Sequence, residues 1–261
     1  MASEWLTEGI PEGPQGMEWV YIEDAGVAGH EGFHGYMSKY ETTNAQYCEY
    51  LNAALASGDI TVNGSDVEGA NGSNSGADFV GERYYCLVGP GYSYNGATHG
   101  GAARINWTGS SFTVDSGFEN HPVTYVSWYG STAFCNYYGW RLPNEWEWQA
   151  VADFKGSYTH GCGTDINNGM ANYLNSTHPH GTTEVGAFGA YGYGMCDMGG
   201  RTSMSGWRTG TTRTNVCVVC AAARGTAAIS VCVAPTATPS IPAAAAALSV
   251  FVLFSPSHKM F

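Results

Sequence analysis

Cys217 and Cys220 stand three positions apart with Cys232 following, and paired thiolates at that spacing bind zinc or form exchange-active disulfides. A zinc centre needs four ligands, and no second ligand pair stands at a matching distance. His178-Pro179-His180 offers a transition-metal pair on a loop, with no carboxylate placed to orient either ring. His30 and His34 are four apart, but Gly29, Gly32 and Gly35 argue against the helix that would bring them onto one face. Cys48, Cys86, Cys135, Cys162 and Cys196 are widely spaced and odd in number, which allows buried thiols and at most two bridges. None of these groups makes a catalytic set by its spacing alone.

The elements that would position such residues are easier to read. His121-Pro122-Val123, then Tyr125, Val126 and Trp128, alternate large apolar side chains as a strand does. Ser127 precedes a run in which Ala133, Phe134, Tyr137 and Tyr138 recur at helical spacing, and Gly139 ends it. Arg141 to Trp148 carries Pro143 and Asn144 at a helix start, with Glu145 and Glu147 in the first turn where the helix dipole favours acids. Trp146 and Trp148 are expected as core aromatics. Gly16 to Ile22 predicts an opening strand, and Thr43 or Asn44 can cap a helix carrying Tyr47, Tyr50 and Leu51.

Taken together, Gly16 to Ile22, Tyr40-Glu41-Thr42-Thr43-Asn44-Ala45-Gln46-Tyr47, His121 to Ala152, Val185 to Phe188 and Gly192 to Gly200 resemble, in order, the motifs of the formylglycine-generating enzyme, or sulfatase-modifying factor, family. The resemblance spans residues 17–200 and implies a C-type-lectin-like α+β fold, loop-rich, with little regular secondary structure. A strand at Val185 to Phe188 and a turn at Gly192 to Gly200 are expected only from the family resemblance of those residues. The resemblance also implies chemistry. Active members carry two C-terminal cysteines that bind copper and oxidise a substrate cysteine with oxygen, but no residue here is assigned a catalytic part. Calcium is implied at Asn172 and Tyr173, which resemble one family site, and at Asp197 with the Gly200 carbonyl, which resemble a second. The second set is completed in the family by a downstream carbonyl and a glutamate.

Composition bounds what the chain binds. A net charge of −12 excludes an extended nucleic-acid surface, which needs clustered Lys and Arg. Met1 to Leu6 lack the basic start and apolar run of a secretory leader, so export requires a leader already removed, and Ala243 to Phe254 is too short to span a bilayer. Residues 1–16 read as an extension and 57–118 as an inserted surface excursion of hairpins, rich in turn signals. Its Tyr84, Tyr85, Tyr92, Tyr94 and Trp107 are either a ligand edge or self-packed.

All 22 acidic residues precede position 200. The body therefore carries five basic residues against 22 acids, a net of −17, while residues 201–261 carry five basic residues and no acid. Read from the third base of each codon, residues 201–206 permit Asn-Val-Tyr-Glu-Trp, 220–225 permit Arg-Gly-Gly-Ser-Trp, and 248–252 permit Val-Gly-Phe-Arg. These are the family's missing C-terminal motifs, in its order and in one phase. The tail 201–261 is thus read as an out-of-frame translation, against the alternative of a genuine Ala/Thr/Pro-rich end. In that reading Cys217, Cys220 and Cys232 are accidental, and copper enters only where a restored frame supplies the thiol pair. The function expected is a non-catalytic domain binding a protein or carbohydrate ligand; the alternative is a formylglycine-generating oxidase whose C-terminal site is lost.

Overall fold

Alternating burial in two neighbouring segments starts the fold. β1 (Trp19–Asp24) pairs antiparallel with β2 (Phe33–Ser38), Trp19 opposite Ser38 and Asp24 opposite Phe33. Ile22 and Asp24 of β1, and Phe33, Gly35 and Met37 of β2, face inward at the two-residue period of a strand. The computed structural model describes residues 13–28, 31–72, 79–89, 92–94, 97–99, 103–172, 181–199 and 233–234. Beyond position 200 it describes only a short strand, whose backbone at Val233 and Ala234 pairs with Met37 and Tyr36 on the far edge of β2.

α1 (Asn44–Ala56) begins at Thr43, whose hydroxyl accepts from the Gln46 N–H while the Gln46 side chain accepts from the Thr43 N–H. This reciprocal cap satisfies two donors that a helix start otherwise leaves without partners. Asn44, Tyr47, Leu51 and Ala54 then recur at helical spacing and are all buried.

The region 57–118 corrects the expectation of a surface excursion. It forms a three-stranded antiparallel sheet of β3 (Ile60–Asn63), β4 (Asp66–Gly69) and β5 (Arg83–Cys86), followed by hairpins β6 (Tyr92–Tyr94) with β7 (Ala97–His99) and β8 (Ile105–Trp107) with β9 (Phe112–Val114). Ile60, Val67, Tyr84, Tyr85, Ile105 and Phe112 join Tyr47, Tyr50, Leu51 and Phe134 in one buried cluster. The strands expected at Tyr84 to Val88 and Arg104 to Trp107 are present as β5 and β8, and it is their burial that the frequent Gly and Asn turns hid. Tyr84 and Tyr85 are therefore core residues and not a ligand edge, Trp107 packs on Phe112, and the side chains of Tyr92 and Tyr94 lie outside the described residues.

α2 (Trp128–Tyr137) starts at Ser127, whose hydroxyl accepts from the Gly130 N–H, and ends before Gly139 at φ +73°. The left-handed conformation suits glycine. α2 lies against β5 so closely that a Cβ on Gly130 would stand 2.3 Å from the Tyr84 carbonyl oxygen. α3 (Glu145–Ala152) is capped by Asn144 and Glu147 and packs on β1 and β2. Its buried Ala150 and Val151 join Ile22, Phe33, Met37, Met195 and Met198 in a second cluster.

Three local expectations are corrected. His121 to Trp128 is no regular strand: it makes isolated bridges, Pro122 with Thr43 and Val126 with Tyr85, interrupted by Tyr125 at φ +62°. Val185 to Phe188 is a turn with Gly186 at φ +74°, and a two-residue hairpin of β10 (Ala190–Tyr191) and β11 (Met195–Cys196) follows it. Trp146 is 46% exposed, while Trp148 is partly buried against the second cluster. Small antiparallel sheets and three helices among the described residues, joined by long loops, match the α+β architecture implied by the resemblance. No helix among them is long and apolar enough to cross a membrane.

Candidate functional site

The first backbone donors of α1 reach across to a loop 75 residues further along the chain. Asn44 N–H donates to the His121 carbonyl at 2.9 Å and Ala45 N–H to the Glu119 carbonyl at 3.0 Å. Asn44 Nδ2 also donates to the Phe118 and His121 carbonyls at 2.9 and 3.0 Å. Thr43 is therefore the helix cap, and Asn44 clamps the 118–121 loop. Orphan donors at a helix start are thus turned into a mount for a functional loop.

That loop forms one wall of a groove of about 550 Å³. Arg104, Phe118 and His121 line this wall; Thr182, Thr183 and Glu184 line the other, with Gly181 and Ala187 at its ends. The walls are tied together. His121 Nδ1 is 2.8 Å from Thr182 Oγ1, and Val185 N–H donates to the Asn120 carbonyl at 3.0 Å. Asn172 Nδ2 donates to the Gly181 carbonyl at 2.9 Å, which holds the far end.

Arg104 stands just before β8. Its guanidinium carbon lies 3.6 Å from the centre of the Phe118 ring, and Nη1 is 3.3 Å from Asp115 Oδ2 across the hairpin. Asp115 Oδ1 is engaged by Asn106 Nδ2 at 2.6 Å. The Phe118 and His121 rings are 4.9 Å apart. A guanidinium held over an aromatic face and beside a carboxylate is positioned before any ligand arrives.

Asp197, which is not among the groove's lining residues, has a left-handed backbone conformation at φ +59°. Its Oδ2 accepts from the Gly186 N–H at 2.6 Å. Burial raises its pKa despite that hydrogen bond. Glu41 is buried, its Oε1 has no partner among the described residues, and burial first and the Asp197 charge second push its pKa well up. Two carboxyls so arranged would welcome a cation. Yet no three His, Cys, Asp or Glu side chains come together among the described residues, and calcium takes six to eight oxygens. Asn172 donates to the Gly181 carbonyl at the groove and Asp197 accepts from the Gly186 N–H, while Tyr173 and Gly200 lie outside the described residues.

Cys48, Cys86, Cys135, Cys162 and Cys196 form no disulfide. Burial raises the Cys48 and Cys196 thiols to about 11 and raises Cys162 as well. Thiols shifted in that direction are poor metal ligands and nucleophiles at neutral pH. Cys217, Cys220, Cys232, His30, His178 and His180 lie outside the described residues, and His34 is exposed on β2.

Sequence reasoning did not foresee the groove. Nothing in the spacing of Arg104 and His121 links them to Thr182 or Glu184. The only local signal was the polar run Thr182-Thr183-Glu184 between two glycine-containing turns.

Residues 30–226 match the family model described as sulfatase-modifying factor enzyme 1-like domain, a match that continues past the composition break at 200. The chain is 34% identical over 100 residues to the serine/threonine-protein kinase pkn1 of Chlamydia caviae, covering 38% of this chain and 15% of that protein. It is 31% identical over 99 residues to the serine/threonine-protein kinase pkn1 of Chlamydia pneumoniae, with coverage of 38% and 15%. Pkn1 of Chlamydia trachomatis serovar L2 matches at 31% over 99 residues, 38% of this chain and 16% of that protein. The chain thus spans less than a sixth of the length of these relatives. With the family model covering well over half of the sequence and the α+β architecture in agreement, this chain belongs to the sulfatase-modifying factor enzyme 1-like family.

Proposed function

We propose that this domain is a non-catalytic binding module that holds its ligand in the groove between the Phe118–His121 loop and the Gly181–Glu184 segment. The observation that carries this reading is the mounting of the groove. Four hydrogen bonds from the start of α1 and two links between the walls hold a cleft open, and its volume suits a small ligand or a peptide end. Two further observations support it. The described cysteines are buried or half-buried thiols, and burial raises the pKa values of Cys48, Cys162 and Cys196, the opposite of an activated thiol. Similarity to part of larger serine/threonine kinases also fits a recognition module better than a free-standing oxidase. A protein or carbohydrate partner whose exposed end enters the groove is the occupant class of this reading.

The rival reading is a formylglycine-generating oxidase, with copper held by cysteines of a restored C-terminal frame. Oxygen uptake with copper and a Cys-x-Pro-x-Arg peptide, on the chain as it stands and on a frame-restored version, separates the two. Sustained turnover overturns the non-catalytic reading. Calcium belongs to the same proposal, bound by Asp197 and Gly200 with residues beyond, and by Asn172 with Tyr173. It is weak here and recovered by frame repair, and calorimetry on both versions tests it. Equal affinity in both would remove the assignment, and sequencing the codons of residues 199–202 tests the frame itself.

The groove is tested by a thermal-shift screen with a mixture of small organic fragments. Ligands that raise the melting temperature of the wild type and not of Ala187→Trp, which fills the groove from an exposed position, support the reading. Shifts identical in both proteins oppose it.

A further inference from the structure

We infer that the groove selects a small zwitterion with an apolar body, of the size of an amino acid or dipeptide, an inference that rests on the binding reading above. The groove's lining carries one charge of each sign, Arg104 and Glu184. Arg104 has its guanidinium carbon 3.6 Å from the Phe118 ring centre and Nη1 3.3 Å from Asp115 Oδ2, and Asp115 shares its own charge with the Asn106 amide. The planar fork of Arg matches a carboxylate, and a guanidinium already oriented loses little freedom on binding one. Glu184 is exposed and offers a carboxylate to an ammonium group.

Apart from these charges the lining is mainly apolar. The Phe118 and His121 rings and the Ala187 methyl present carbon to the cleft. A purely anionic ligand would gain Arg104 but meet Glu184 and Asp115, and a purely cationic one would meet Arg104. A ligand carrying both charges around an apolar centre avoids each repulsion. A volume of about 550 Å³ lies within the range of small-molecule sites and admits a free amino acid, a dipeptide or the end of a longer chain. Because His121 to Thr182 and Asn120 to Val185 already fix the walls, binding requires little reorganisation.

The test titrates the dipeptide Ala-Phe, its C-terminal amide and its N-acetyl form into the full chain, following backbone amide resonances of the groove. The variants are Arg104→Gln, Arg104→Lys as a charge-retaining check on folding, and the exposed Glu184→Gln. The expected result is saturable binding of Ala-Phe, weakened about tenfold, 1.4 kcal/mol, by amidation or by Arg104→Gln. Acetylation and Glu184→Gln are expected to act similarly, and amidation to add little in the Arg104→Gln protein, as for two changes at one contact. Equal binding of all three peptides overturns the inference, as does wild-type affinity in Glu184→Gln or no binding at about 10 mM. If fragments still bind the groove in that case, the binding-module reading survives; if they do not, both fall.

Discussion

Asn44 offers a substitution whose sign separates two accounts. As an ordinary first residue of α1 it would be improved by aspartate, because a negative charge in the first turn of a helix stabilises by about 0.3–1 kcal/mol. As the clamp of the groove loop it should not tolerate one. Asn44 is fully buried, and its Nδ2 serves two carbonyl oxygens, those of Phe118 and His121. Asn44→Ala removes two hydrogen bonds, each contributing about 1 kcal/mol. It also removes Oδ1, a buried acceptor with no partner among the described residues, which offsets part of that loss. The net expectation is a destabilisation of about 1–2 kcal/mol. Asn44→Asp puts an acceptor against two carbonyl oxygens and buries a charge, so its loss should reach about 3–5 kcal/mol, the scale of a broken buried polar pair. At roughly 2–4 °C per kcal/mol, thermal melts by circular dichroism should place Asp well below Ala, and Ala below the wild type. An aspartate variant as stable as the wild type would refute the clamp.

Gly130→Ala should destabilise by about 3 kcal/mol or more, because its Cβ would lie 2.3 Å from a backbone oxygen of β5 that cannot step aside; urea denaturation measures it, and a loss under 1 kcal/mol, roughly the ordinary scale of a tolerated volume change, opposes the packing described. Arg141 grips Glu147 through two hydrogen bonds of 2.7 and 2.6 Å, and the Glu147 pKa is lowered although burial raises it, because the Arg141 and Asn144 hydrogen bonds outweigh burial. The stability so contributed is present above the unfolded carboxyl range and is lost as pH falls through the lowered value. Arg141 is largely exposed, so Arg141→Gln should cost at most about 1 kcal/mol at neutral pH and nothing in strong acid, and a pH-independent loss would contradict the sign. Cys48 and Cys196, raised to about 11, should react with iodoacetamide at neutral pH far more slowly than in urea, as read by peptide mass spectrometry; native labelling at the denatured rate would reinstate an activated thiol.

Much of the fold was legible because local chemistry and global position agreed. Ser127 and Asn144 cap the helices their sequence predicts, Gly139 ends α2 in the left-handed conformation, and Trp19 to Ile22 fall in β1. Legibility failed where tertiary contacts decide. Turn-rich segments of 57–118 read as surface because Gly and Asn dominate them, while the burial of Tyr84, Tyr85 and Ile105 depends on α1 and α2 arriving from elsewhere. Tyr125 could not be foreseen at positive φ, since its backbone is set by bridges on either side. The groove was hidden for the same reason. Arg104, His121 and Thr182 are distant in sequence, and they meet at a loop held by Asn44, more than fifty residues earlier in the chain than any of them.

The central claim, a binding groove mounted on the start of α1, is tested most directly by amide NMR of the isotope-labelled chain during titration with the fragment mixture. The account predicts that shifts concentrate at Arg104, Phe118 to His121 and Gly181 to Glu184, and vanish together in Ala187→Trp. Shifts that scatter over the surface, or that gather elsewhere and persist in Ala187→Trp, would contradict it.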